Sequence, residues 1–257
     1  MESSIQLTYD GTYEGLISVV FEAYRLKLNV EKIVPLEEVI PDLFAQEMHV
    51  ETNLEHVDRI FKALKAKLGS KGTKLIHRAF LSEQRGIEMN IYRVIQKTFK
   101  YAHSILENYA DDDVLKLHQI NKKISREVHR MHAFVRFQET TGGLYTALVN
   151  PDFNVLPLIG DHFKKRYPAQ HWLIYDTIRH YGIAYYGNQI EYTTIVESDH
   201  QRIEELLKNN ITADEAQYQS LWKSYFEHVN IPARVNMKLH IQHVPKRYWK
   251  YLIEKAV

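Results

Sequence analysis

Cysteine is absent from this 257-residue chain. That excludes a disulfide framework, thiolate metal sites, an iron–sulfur cluster held through the chain's own cysteines, and a cysteine nucleophile. The opening residues, MESSIQLTYDGTYEG, carry no basic segment followed by an apolar one, and no apolar run reaches the length of a bilayer crossing. These absences predict a cytoplasmic protein with no membrane contact. Missing too are a glycine-rich phosphate loop, a GxSxG elbow and a paired-carboxylate motif. No reaction can therefore be assigned by motif, no cofactor is implied, and whether the chain is an enzyme is left open.

What is present is the composition of a folded protein, 45% hydrophobic and 25% charged, enough to bury a substantial core. The formal net charge of +1 conceals an uneven distribution. Residues 1–61 hold 4 Lys/Arg against 12 Asp/Glu, residues 62–103 hold 10 against 2, and residues 104–257 are near balance at 19 against 18. The basic excess is local.

Periodicity predicts an α+β fold in which a helical region packs with an antiparallel sheet. Ile5–Tyr9 alternates as a strand, Asp10-Gly11 supplies a turn, and Thr12 caps a helix through Leu16, Val19, Val20 and Ala23. Glu31–Asp42 reads as irregular, with a short strand at Leu43–Val50. From Asn53 to Arg130 the period is helical, and breaks at residues 69–72, at Gly86 and at Asp111–Asp113 divide it into four helices. After Arg130, Met131–Gln138 alternates and Thr141-Gly142-Gly143 turns the chain into Leu144–Val149, the pattern of a hairpin. A helix at Leu156–Tyr167, strands at Trp172–Tyr175, Ile183–Tyr186 and Ile190–Val196, a long helix at Asp214–His228 and a short one at Tyr248–Glu254 complete the reading. No Pro/Gly/Ser linker separates helix-rich 53–130 from strand-rich 131–257. One integrated domain over 1–257 is expected, with strand–turn–helix 5–27 packing onto the strand-rich part.

Four groups of residues carry candidate chemistry. Lys71, Lys74 and Arg78, and then Arg93, Lys97 and Lys100, recur at spacings of three and four, so each trio lines one helical face suited to phosphate contacts. The same pattern describes solvated faces opposite buried ones. Arg234, Lys238, Lys246, Arg247 and Lys250 interleave with His240, His243, Tyr248, Trp249 and Tyr251, a mixture that suits single-stranded or flipped bases. Trp249 serves equally as an anchor for the terminal helix. Glu127, His129 and His132 invite a metal reading, but the two histidines straddle an expected helix-to-strand junction without a third ligand, so no metal site is predicted. Arg136, Asp176 and Arg179 beside apolar strands form either a structural ion pair or an arginine pair that binds phosphate with Asp176 orienting it. His129, His162 and Asp176 are the candidate acid–base groups if there is catalysis.

The longer blocks resemble a known family. Tyr9-Asp10-Gly11 with Glu14-Gly15-Leu16, Arg126–Met131 running into Phe134–Phe137, Asn154–Leu158 with His162-Phe163, Trp172–Asp176 with Arg179 and Tyr181-Gly182, and the C-terminal Arg234-Val235-Asn236 and Pro245–Trp249 resemble an uncharacterised bacterial family described as "probable DNA metabolism protein". Val244 stands where that family's pattern has methionine. The resemblance spans nearly the whole chain. It implies a gene neighbour that is a radical-SAM protein of DNA modification or repair, and relatives in which the same domain is fused to uracil-DNA glycosylase. From it follow three expectations: an accessory DNA-binding subunit that presents DNA to such a partner; a protein scaffold for the radical-SAM partner that does not touch DNA; and an enzyme of unfamiliar mechanism.

Overall fold

The computed structural model describes residues 5–40, 46–194, 211–229 and 236–255. The chain divides into two compact units, Met1–Ser125 and Arg126–Val257.

In the first unit, β1 (Ile5–Tyr9) lies between β2 (Val30–Pro35) and β3 (Gln46–His49), and both pairings are parallel. A central strand needs both faces buried, and all five residues of β1 are. The alternation seen in the sequence thus hides two buried polar groups, one of which, Thr8 Oγ1, lies 3.1 Å from His49 Nδ1. Helix α1 (Tyr13–Arg25) begins where expected: Thr12 Oγ1 accepts from Gly15 N at 2.9 Å, and Leu16, Ile17, Val19, Val20 and Ala23 are buried. The strand–turn–helix therefore belongs to this unit rather than to the strand-rich one, with α1 packing on the two helices that follow it. The Glu31–Asp42 stretch, expected to be irregular, supplies β2 because Ile33 is a fully buried position beside β1.

Helix α2 (Leu54–Phe80) starts on Asn53, whose side chain accepts from the amides of Glu55 and His56, and is broken at Gly69 (φ 66°, ψ 179°). With α3 (Ile87–Lys100) and α4 (Asp112–Phe134), that break gives the four helical segments read from the sequence.

The first half of the strand expected at Met131–Gln138 is helix. Buried Ile124, Glu127 and Met131 continue the helical spacing, so α4 runs to Phe134, and only Gln138–Glu139 forms a strand, β4. The second unit's sheet has the order β4-β5-β6-β7-β8, with β5 Tyr145–Val149, β6 Trp172–Asp176, β7 Tyr181–Tyr186 and β8 Gln189–Thr194. It is not purely antiparallel, because β5 and β6 pair in parallel. A parallel pair needs a crossover, and α5 (Leu156–Arg166) provides it. Helix α5 packs on β7, with Gly160 against Ile183 and Ile190. Gly187 and Asn188 take positive φ of 56° and 68° in the two-residue turn between β7 and β8. Helices α6 (Ala213–Val229) and α7 (Met237–His243) and a 3₁₀ segment at Lys246–Tyr251 follow.

Candidate functional site

A cleft of about 570 Å³ opens in the second unit. Val135, Arg136 and Phe137 enter it from the link between α4 and β4, Tyr145 from β5, and Trp172 from β6. Arg166 and Tyr167 come from the end of α5, and Glu215, Tyr218, Gln219 and Trp222 from α6. Its volume falls in the range of small-molecule sites, and its lining is unusually rich in aromatic rings.

Those rings form a packed wall on one side. Phe137 meets Phe163 edge-on at 5.6 Å and Tyr167 at 5.4 Å, and Trp172 stacks on Tyr185 at 5.4 Å. Trp172 is fully buried, yet its indole Nε1 has no hydrogen-bond partner. On α6 the rings are more open: Tyr218 is 68% exposed and Trp222 40%, and Trp222 stacks on Tyr225 at 5.7 Å. Two cations border the cleft. The Arg166 guanidinium lies 5.7 Å from the Tyr167 ring. Arg136 is anchored through Nη1 to the carbonyl of Ala133 (2.7 Å), in the last turn of α4 where a cation is favoured, and to that of Val135 (3.4 Å) just beyond it. Its Nη2 donates to Glu254 Oε1 at 2.9 Å, and its Nε is buried without a partner. The first turn of α6 is tied to β4: Thr212 N donates to Glu139 O at 3.1 Å, and Glu139 N to Glu215 Oε2 at 3.4 Å.

A second polar cluster is built around one buried acid. Glu127, 1% exposed in its side chain, accepts from Tyr248 Oη at 2.5 Å, Arg247 Nη2 at 3.1 Å, Arg130 Nη1 at 3.4 Å and Asp152 N at 2.8 Å. Arg247 also pairs with Asp152 at 2.7 Å. Burial pushes the Tyr248 hydroxyl well above the ordinary tyrosine value, and the Glu127 carboxylate adds to the effect. The cluster holds the 3₁₀ segment against α4 and engages both carboxylate oxygens of Glu127.

The other expected site residues are placed as follows. Asp176 is fully buried; it accepts from the amides of Ile178 and Arg179 and pairs with Arg179 Nη1 at 2.9 Å, while Arg179 also reaches Pro151 O at 3.1 Å. This is the structural alternative, an ion pair that fixes the turn after β6, and Arg136 is engaged elsewhere. His129 and His132 both lie on α4, not at a helix-to-strand junction. His132 stacks on His162 at 3.9 Å. Burial, with His162 and His129 beside it, holds His132 below the ordinary histidine value. No contact joins His129, His162 and Asp176 into one acid–base constellation among the described residues, and these contain no cluster of three or more metal-ligating side chains.

On the basic helices, Lys71 and Lys74 are exposed, as expected of solvated or phosphate-facing cations. Arg78 is half-buried and donates to Ser125 Oγ at 2.9 Å. Lys97 is held by Asp111 at 2.6 Å and Asp113 at 2.9 Å, with Arg93 3.8 Å from Asp113, so the acidic cap of α4 neutralises much of the second trio. Lys100 lies 5.8 Å from the Tyr101 ring. At the C-terminus Lys238 is exposed, Lys246 lies 5.9 Å from the Trp249 ring, and Trp249 Nε1 donates to Val244 O at 3.0 Å, an anchoring contact. Arg234 lies outside the described residues.

The sequence pointed to Arg136 but missed the ring-lined cleft beside it. The available signal was Tyr218, Trp222 and Tyr225 at helical spacing on α6, a stripe that reads as core until the structure shows it exposed.

The family described as a domain of unknown function, DUF4130, matches residues 85–254. No protein of curated function matches. Among solved structures, a pGpG-specific phosphodiesterase from Vibrio cholerae aligns at 9% identity and a TM-score of 0.32, covering 79% of this chain and 97% of its own. The DHH domain of a protein assigned to a family of ribosomal proteins aligns at 13% identity and a TM-score of 0.20, covering 70% and 56%. No helix among the described residues is long and apolar enough to cross a membrane.

Proposed function

The chain belongs to the DUF4130 family, and we propose that this member is an accessory nucleic-acid-binding subunit whose second unit receives an unpaired base and presents the strand to a repair or modification enzyme. One observation carries the reading: a cleft that combines stacking surfaces (Tyr167, Tyr218, Trp222), two bordering arginines and a buried indole N–H without a partner. Bases unstacked from their neighbours bind through aromatic faces and backbone charge, the two things this lining offers. Lys71 and Lys74, both exposed, supply phosphate contact without reading sequence. The partner, a radical-SAM protein or a glycosylase, is inferred from the resemblance to the "probable DNA metabolism protein" family. Chemistry is assigned to that partner because the buried acids here, Glu127 and Asp176, are committed to internal hydrogen bonds.

The test is binding of nuclease-treated protein to matched single- and double-stranded DNA across a salt series. Single-strand preference is expected. Tyr167→Ala and Tyr218→Ala should each weaken it about 5- to 150-fold, the effect of losing a stacking partner worth roughly 1–3 kcal/mol. Absence of binding at low salt overturns the reading in favour of a scaffold, whose acidic residues 1–61 would dock the radical-SAM partner.

A further inference from the structure

The environment of Glu254 is that of a ligand more than of an ordinary surface acid. Its two carboxylate oxygens take different donors, both from cleft-lining residues: Arg136 Nη2 on Oε1 at 2.9 Å and Trp222 Nε1 on Oε2 at 3.0 Å. The side chain is 6% exposed, and its neighbour Ile253 lines the cleft. Burial alone would raise its carboxyl, but the hydrogen bonds from Arg136, from the residue's own backbone N–H and from Trp222 outweigh that and hold it below the ordinary carboxylate range.

The fit is incomplete in a way that indicates what the pair of donors suits. Arg136 is fixed through Nη1 to the end of α4 whether or not Glu254 is present, so its outer edge is preorganised. A guanidinium presents Nε and a terminal nitrogen side by side, matching an anion with several acceptor oxygens. Glu254 satisfies the terminal nitrogen and leaves Nε buried without a partner, a cost that native structures seldom carry. A tetrahedral phosphate has enough oxygens to accept from both nitrogens and from the Trp222 indole.

We infer that Arg136 and Trp222 form a phosphate seat at the edge of the cleft, occupied by the chain's own Glu254 until a phosphate group displaces it. That the phosphate belongs to a nucleic-acid strand rests on the function proposed above; the seat itself does not. Displacement makes binding competitive with a tethered internal anion, so removing the charge of Glu254 frees the site.

The experiment uses the full chain, wild type against Glu254→Gln, which keeps an acceptor for Trp222 and removes the charge. Inorganic phosphate is titrated while tryptophan fluorescence is followed. Glu254→Gln is expected to bind phosphate at least tenfold more tightly than wild type, and Arg136→Gln in the same background to abolish the gain. Glu254→Asp, which retains the charge on a shorter stem, should fall between and serves if the glutamine variant folds poorly. With single-stranded oligonucleotide, Glu254→Gln should bind more tightly and with a salt slope steeper by about 0.7, the contribution of one further phosphate contact on a single strand. Equal phosphate affinity in wild type and variant overturns the seat, whatever the oligonucleotide does. Phosphate binding that tightens as expected while neither protein binds oligonucleotide upholds the seat and removes the nucleic-acid reading.

Discussion

Tyr248→Phe removes one buried hydroxyl and so puts a number on the Glu127 cluster. The hydroxyl donates to Glu127 Oε1 at 2.5 Å and accepts from Arg247 Nη2 at 2.5 Å, in a residue only 2% exposed. Deleting it leaves Glu127 still bonded to Arg247, Arg130 and the Asp152 amide, so no charge is orphaned. The loss is that of the hydroxyl's two bonds, one to each charged group, while Arg247 keeps its pairing with Glu127 and Asp152; about 2 kcal/mol is expected. Glu127→Ala is a different perturbation: it strands the Tyr248 hydroxyl and the Asp152 amide and removes the buried partner of Arg247, for about 3–5 kcal/mol. Against a typical stability of about 5–15 kcal/mol, that second loss is a large fraction. Urea denaturation followed by fluorescence gives both values. With a dependence of about 1–3 kcal/mol per molar, Tyr248→Phe should lower the midpoint by roughly 1 M. A double-mutant cycle of Tyr248→Phe with Glu127→Gln should give a coupling of at least about 1 kcal/mol. A midpoint shift under about 0.2 M, or simple additivity in the cycle, would refute the claim that this contact holds the 3₁₀ segment in place.

Three further outcomes are expected. Burial raises the hydroxyls of Tyr9, Tyr13 and Tyr248 in the folded chain, so their contribution to stability is whole below the ordinary tyrosine value of about 10 and is lost as pH rises above it; urea midpoints at about pH 9 and about pH 10.5 should differ less in Tyr248→Phe than in wild type. Gly182→Ala should cost about 1–3 kcal/mol in the same denaturation assay, because a Cβ there would sit 2.9 Å from the backbone oxygen of Ile174 in the neighbouring strand. Charge reversal at exposed Lys71 and Lys74 should flatten the salt dependence of oligonucleotide binding, whereas Lys97→Met, whose ammonium is already held by Asp111 and Asp113, should leave that slope unchanged.

Local chemistry was legible in the sequence; pairing at a distance was not. Asp10-Gly11-Thr12 announced a turn and a helix cap because those residues bond to amides two and three positions away. Gly187-Asn188 announced its hairpin for the same local reason. By contrast, all of β2 after Val30 falls in the Glu31–Asp42 stretch that reads as irregular, and it becomes a strand because β1 lies alongside it. The parallel pairing of β5 with β6 likewise depends on partners separated by α5. Helix α4 outran its expected end because Met131 satisfies both a strand's alternation and a helix's spacing, and burial decides between them. The candidate site follows the same division. Arg136 stood out as a charge among apolar residues, but its partner Glu254 lies 118 residues further along the chain. The stripe on α6 resembled core, since spacing alone does not say which ring faces outward.

Helix α6 has a mechanical consequence. It is fastened at its first turn to β4, through Thr212 and Glu215, and at its middle through Trp222 to Glu254. On the proposed phosphate seat, the helix works as a door whose hinge is the Thr212 end and whose latch is the Trp222 indole. When the carboxylate lets go, the far turns are released while the Thr212 end stays seated. Amide exchange should then show a gradient along α6, slow near its start and faster beyond Trp222, with the opening set by the latch rather than by unfolding of the sheet behind it.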